Sequence, residues 1–169
     1  MKILETERTI LREVTTDDAE FILDLLNQAS FIRYIGDRNV RTLEQARDYI
    51  ENRFTKSYKR FGFAMWGVVL KETSKLIGLC GFVKRDDLPD ADIGFAFLPQ
   101  FEKRGYAFES ASAVMRYGRD ILNLPRVLAI TSRDNESSQK LLAKIGLKFE
   151  RLISLPGDAE ELKLFSSDL

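Results

Sequence analysis

The residues with the clearest chemical potential stand together in Gln100-Phe101-Glu102-Lys103-Arg104-Gly105-Tyr106-Ala107-Phe108-Glu109. Two cations and one glycine follow the end of an apolar run at Leu98-Pro99 and lead straight into a long stretch of helical spacing. The first N–H groups of a helix lack intrahelical acceptors and carry the positive end of its dipole, and a glycine lets a ligand approach the backbone. The pattern suits an anion cradle. It also suits a basic loop in which Gly105 merely relieves a turn, and the spacing alone leaves both readings open. Gly105 stands by itself, so this is neither a Walker loop nor a G-x-G-x-x-G turn. The acidic cluster Asp86, Asp87, Asp90 and Asp92 lacks the spacing of a calcium loop.

Absences narrow the chemistry further. The chain has 169 residues, 26 Lys+Arg against 26 Asp+Glu, one cysteine and no histidine. Without imidazole there is no Ser-His-Asp or Cys-His machinery and no HExxH site, and no metal site is expected. Cys80 lies in the apolar run 76–83, where a buried, inert thiol is expected. Zero formal net charge supplies no global field toward nucleic acid or anionic lipid, and neither partner is expected. Met1-Lys2-Ile3-Leu4 runs at once into charge, and no apolar stretch is long enough to span a bilayer. A cytoplasmic protein is the expectation. The length fits one domain over 1–169, able to bury ~70% of the surface its unfolded chain exposes.

The elements that must hold these residues follow from periodicity and punctuation. Thr6 to Val14 alternates as a strand. Thr15-Thr16-Asp17-Asp18 opens a helix with Ile22, Leu25, Leu26 and Ala29 inward. After an irregular segment, Ser30 to Arg41, the capping-box spacing Thr42-Leu43-Glu44-Gln45 starts a second helix with Leu43, Ala46, Ile50 and Phe54 inward. Phe63 to Leu70 and Leu76 to Val83 read as a hairpin, and Ala91 to Leu98 as a strand stopped by Pro99. A long helix spans about Arg104 to Leu122, and Arg126 to Ser132 is a buried strand. Asn135 caps a last helix closed by Gly146, and Leu147 to Ser154 and Glu160 to Phe165 form a final hairpin. This order predicts an α/β domain with a mostly antiparallel mixed sheet and about four flanking helices.

Four stretches in register resemble the GNAT N-acetyltransferases. Residues 102–107 are similar to the end of that family's Q/R-x-x-G-x-G/A loop. Ala91-Asp92-Ile93-Gly94-Phe95 resembles its a-E-I-G-Y strand, and Gly105-Tyr106-Ala107-Phe108-Glu109-Ser110-Ala111 its G-Y-A-x-E-A helix start. Asn135-x-x-Ser138-x-x-Leu141-x-x-Lys144-x-Gly146-Leu147 resembles N-x-x-S/A-x-x-L-x-x-K-x-G-F. Leu4-Glu5-Thr6-Glu7-Arg8-Thr9-Ile10-Leu11-Arg12 resembles the opening of the branch that holds the ribosomal-protein N-terminal acetyltransferases.

The resemblance implies a sheet splayed between the fourth and fifth strands, with acetyl-CoA as co-substrate in the opening. It implies that Phe95, Ala96 and Phe97 offer strand-edge backbone groups to the pantetheine arm. The N–H groups of Arg104, Gly105, Tyr106 and Ala107 would hold the pyrophosphate, with Lys103 and Arg104 adding charge. Asn135 would either reach the cofactor or simply cap its helix. Glu102 departs from the family's Gln or Arg. Asp92, where relatives carry Glu, is the candidate general base, or else a strand-end carboxylate finishing the acidic turn. The position at which many relatives carry an acid-donating Tyr is Leu142, and the implied substitute is Ser138, which otherwise is only a first-turn helix residue. Phe31, Tyr34, Ile35 and Trp66 are candidates to line an acceptor pocket. The implied reaction is direct acetyl transfer to a primary amine, on a protein N-terminus or a small molecule, with no acyl-enzyme. The alternative is a non-catalytic acyl-CoA-binding module, and a homodimer is the oligomer the family suggests.

Overall fold

The N-terminal alternation resolves into two strands rather than one. In the computed structural model, which describes residues 1–169, β1 (Lys2–Glu5) and β2 (Thr9–Arg12) form an antiparallel hairpin. Its polar turn closes because the Thr6 N–H donates to the Thr9 carbonyl (2.9 Å) and the Thr6 hydroxyl accepts the Thr9 N–H (3.0 Å).

The Thr15 cap forms as expected. Its hydroxyl accepts the Asp17 N–H, while the Asp18 carboxylate accepts the Thr15 N–H at 2.9 Å, and a 3₁₀ turn then leads into α1 (Ala19–Leu26). Arg12 grips that same carboxylate with two 2.9 Å hydrogen bonds, fastening the helix start to β2. Ile22, Leu25 and Leu26 are buried, but Ala29 is exposed, because α1 stops at Asn27. The Asn27 amide donates to the carbonyls of Leu23 (2.7 Å) and Val40 (2.8 Å), which turns the chain back. The segment expected to be irregular then contains a short helix, α2 (Ala29–Tyr34).

The second expected helix is longer than its cap signalled. Thr42 caps α3 (Leu43–Ile50), and a π turn at Glu51–Thr55 carries it into α4 (Lys56–Phe61), where Gly62 at φ 79° ends it. Gln45 accepts the N–H of Arg41 rather than that of Thr42, so the capping box is displaced by one residue. The Tyr58 hydroxyl accepts the Val14 N–H (3.0 Å) and donates to the Met65 carbonyl (2.5 Å), tying this helical layer to the sheet.

The remaining elements are β3 (Met65–Leu70), β4 (Lys75–Val83), β5 (Asp92–Phe97), α5 (Tyr106–Asp120), β6 (Arg126–Ser132), α6 (Glu136–Lys144), β7 (Lys148–Ile153) and β8 (Leu162–Asp168). The eight strands make one sheet in the order β1-β2-β3-β4-β5-β6-β8-β7. Every neighbouring pair is antiparallel except β5 and β6. With the N-terminal hairpin counted as two strands, these are the expected fourth and fifth strands, and they meet at a single rung, Asp92 opposite Leu128.

Two apolar layers sandwich the sheet. Trp66, Phe82 and Ile93 pack with Ala111 and Val114 of α5 on one face, while Leu79 and Leu98 pack with Ile22, Leu25 and Ile50 on the other. β4 is buried on both faces, which explains its continuous apolar run in place of alternation. No helix is long and apolar enough to cross a membrane.

Gly81 shows how closely this centre is fitted. A Cβ there would lie 2.2 Å from the Ala64 carbonyl oxygen and 2.8 Å from the Met65 Cα, both backbone atoms with little freedom to move. Gly81→Ala is expected to cost about 1–3 kcal/mol or more. Urea unfolding checks this: the midpoint falls while the slope m stays constant.

Candidate active site

Strand alternation decides which part of β5 is available. The Leu98 N–H donates to the Ile77 carbonyl at 3.0 Å, so with the antiparallel register the main-chain groups of Ala96, Gly94 and Asp92 also face β4. Those of Phe95 and Phe97 face the other way, toward β6, where pairing has already ended. Of the three residues expected to offer backbone groups, Phe95 and Phe97 are so placed. Ala96 is not: its N–H and C=O belong to the β4 ladder, and only its side chain reaches the opening.

At the end of β5 the chain makes a 3₁₀ turn (Pro99–Phe101) and reaches Lys103 at φ 59° and Gly105 at φ 84°, immediately before α5. From Lys103 through Phe108 no main-chain N–H finds an acceptor within the protein; the first to do so is that of Glu109, accepted by Gly105 at 3.0 Å. This is the geometry of an anion cradle. Lys103 and Arg104 are exposed beside it, as is Glu102, whereas Tyr106 is buried as packing.

An ion cluster that sequence reasoning missed holds the cradle in shape. Arg8 donates from Nε to Glu109 Oε1 (2.8 Å) and from its guanidinium to the Arg104 carbonyl (3.1 Å), and it lies 4.3 Å from the centre of the Tyr106 ring. The second Glu109 oxygen accepts the Arg8 N–H at 2.8 Å and the Thr6 hydroxyl. Burial pushes the Glu109 carboxyl up, but these donors outweigh it and hold it below the usual range. Thr6, Arg8 and Glu109 all stand in the quoted stretches, yet nothing local shows that they meet.

Between β5, β6 and the helices lies a cleft of about 230 Å³. It brings together Asp92, Phe95, Ala96, Asn135 and Ser138, and leaves Phe97 and the Lys103–Ala107 loop outside its lining. Phe31, Tyr34 and Ile35 line it as expected, but Trp66 does not. Trp66 is fully buried, edge-on to Tyr117 (5.4 Å) and Phe82 (6.2 Å), and belongs to the core. Cys80 is likewise buried, and desolvation pushes its thiol up, away from the thiolate.

Asp92 is 2% exposed. Burial raises its carboxyl to about 6, and Arg85, whose Nε donates to Oδ1 at 3.1 Å, offsets part of that shift. Asn135 caps α6, its Oδ1 accepting the Ser138 N–H at 3.2 Å. Ser138 also faces the cleft, and Leu142, one turn later, fills the same wall with apolar bulk. Arg38, Arg53, Arg85 and Thr131 join the lining without any motif having marked them.

The chain as a whole is similar to proteins of one family. Residues 8–148 match the acetyltransferase (GNAT) domain family. An uncharacterized N-acetyltransferase of Bacillus subtilis, YoaA, is 36% identical over 152 residues, 89% of this chain and 85% of its own. The spermidine N(1)-acetyltransferase of Escherichia coli is 25% identical over 142 residues, 83% of this chain and 73% of its own. The crystal structure of a ribosomal L7/L12 α-N-protein acetyltransferase in complex with coenzyme A superposes with a TM-score of 0.81, covering 100% of this chain and 98% of that one at 16% identity, a likeness of fold. The chain belongs to the GNAT family of acetyl-CoA-dependent N-acetyltransferases.

Proposed function

We propose that the protein transfers an acetyl group from acetyl-CoA directly to a primary amine in the cytoplasm, with Asp92 as general base. The observation that carries this reading is a carboxylate buried in the cleft, raised to about 6, on the strand whose other edge is open. Such a group is ionised at neutral pH and basic enough to accept a proton.

The residues present fit the co-substrate. The outward main-chain groups of Phe95 and Phe97 suit the amide-bearing pantetheine arm. The unaccepted N–H groups from Lys103 through Phe108 suit a pyrophosphate, with Lys103 and Arg104 beside them. Asn135 uses its side-chain oxygen for capping, which leaves its amide N–H groups for the same ligand.

Bound acetyl-CoA supplies an activated acyl carbon and a thiolate leaving group. Asp92 takes the proton of the incoming ammonium, directly or through a water, so that the nitrogen lone pair can form the new C–N bond. The Phe97 N–H, aimed into the gap, steadies negative charge on the acyl oxygen. The Ser138 hydroxyl returns a proton to sulfur as the C–S bond breaks. No side chain becomes acylated, consistent with a buried thiol and no imidazole. The acceptor is a peptide N-terminus or a small amine, and a screen of both with acetyl-CoA, read by released thiol and product mass, tests the reading.

Two variants check the roles. Asp92→Asn is expected to lower kcat roughly 10²–10⁴-fold without altering CoA affinity, and to abolish a kcat inflection near pH 6. The same group has a stability signature. Its folded value lies above the ordinary 3.8, so the folded state holds the proton more tightly than the unfolded one. Wild type therefore loses stability relative to Asp92→Asn as pH rises from 3.8 to about 6, and the difference is flat above that, measurable by urea titration across pH.

For the cradle, Glu109→Gln keeps the side-chain shape but removes the charge that orients Arg8. It is expected to weaken CoA binding about 10-fold, measured calorimetrically, because hydrogen bonds to charged groups are worth about 1.5–3 kcal/mol. Unchanged CoA affinity would separate the clamp from cofactor grip.

A further inference from the structure

The cleft wall formed by the early helices and the loop between α2 and α3 carries two arginines whose charge no carboxylate of the protein answers. Arg33, Arg41 and Arg85 each pair with a carboxylate, Asp134 (3.4 Å), Asp37 (2.6 Å) and Asp92 (3.1 Å) respectively. Asp37 is adjacent in sequence to Arg38 but is taken by Arg41. Arg38 and Arg53 pair with none. The Nε–H of Arg38 is buried without an acceptor, and Arg53 sits 5.5 Å from the centre of the Tyr49 ring, which also lines the cleft.

The charges facing one another here are three arginines and two carboxylates, Asp92 and Asp158. Arg85 neutralises Asp92 from within β5's own layer, so Arg38 and Arg53 stand against Asp158 alone. The side chain of Asp92 projects from the β5 face shared with Ala96, and Ala96 packs into the cluster of Leu26, Phe31 and Phe54. Arg38, in the loop between α2 and α3, and Arg53, in the π turn, therefore share the cleft with the base rather than with the pyrophosphate cradle.

We propose that the acceptor is a primary amine that also carries a carboxylate, which Arg38 and Arg53 hold while the amine faces Asp92. The inference rests on the amine-acetylation reading and names its substrate class. A carboxylate gives the buried Nε–H an acceptor and matches the planar fork of a guanidinium with two parallel hydrogen bonds. A polyamine would instead bring further positive charge against two unpaired guanidiniums. In this respect the cleft differs from what a spermidine acceptor requires.

The test compares three dipeptide amides as acceptors for the full chain with acetyl-CoA: Ala-Asp-NH2, the near-isosteric Ala-Asn-NH2 and the cationic Ala-Lys-NH2, with spermidine alongside. Thiol release is expected to give a kcat/KM at least about 10-fold higher for the Asp peptide than for the Asn peptide, with Ala-Lys-NH2 and spermidine lower still. Arg38→Met and, independently, Arg53→Met are each expected to bring the Asp-to-Asn ratio toward one, whatever happens to the absolute rate. Free alanine against alaninamide, run in parallel, tells whether the carboxylate belongs to a small amino acid or to a peptide. An equal rate for the two dipeptides, a preference for lysine or spermidine, or an Asp-to-Asn ratio untouched in both variants would overturn the inference. Absence of thiol release with every amine would instead defeat the amine-acetylation reading. Calorimetric binding of the two dipeptides to the CoA-saturated protein then decides: an Arg38-dependent preference for aspartate upholds the carboxylate site, and no preference overturns it.

Discussion

β5 and β6 run side by side in parallel and share one rung, and the cleft and the helix-start cradle both lie along the edge this leaves open. The gap persists because each half of the sheet is secured elsewhere. All six residues of β5 pair with β4, and all seven of β6 pair with β8. Further rungs would add little to a sheet already fastened on both flanks, so the outward groups of Phe95 and Phe97 stay available to a ligand. The same geometry brings the start of α5 to the end of the open edge, because a parallel connection must pass through a long crossover. Strand edge and helix start thus lie end to end on one surface.

Charge is balanced over the whole chain but unevenly spent. Arg8 and Glu109 lie 101 residues apart and jointly shape the cradle, contacting its backbone carbonyl and its one buried aromatic. Asp92 is buried beside a half-exposed Arg85, and desolvation wins, so the carboxyl keeps a value well above the ordinary one despite its cationic neighbour. A pair whose carboxylate is desolvated in this way contributes little to stability. What it does do is leave a carboxyl with a value near 6 in the wall of the cleft.

Much of the fold was legible in the sequence because the signals involved are short-ranged. The Thr15 and Thr42 caps, the Asn135 cap with Gly146, and the β3–β4 hairpin all rest on residues within one turn of one another. The misreadings have physical causes too. Thr6 to Val14 alternates throughout, so nothing local separates β1 from β2, and the break comes from the Thr6–Thr9 hydrogen bonds. Ala29 kept helical spacing with Leu25 and Leu26, but the Asn27 amide bonded two carbonyls and ended α1 first. Trp66 looked like a pocket aromatic by type alone, and its strand register turned it into the core.

By itself the sequence determined the order of elements from β3 onward, a loop of two cations and one glycine leading into α5, and a chemistry that works without imidazole or a reactive thiol. These follow from composition, periodicity and capping, which act over a few residues. Tertiary structure decided which atoms the site offers. The β4–β5 register withdrew the backbone of Ala96 and presented those of Phe95 and Phe97. Packing joined Thr6, Arg8 and Glu109, and it left Arg38 without the aspartate beside it in sequence. Such pairings depend on where distant segments come to rest against one another, and no local pattern records that distance.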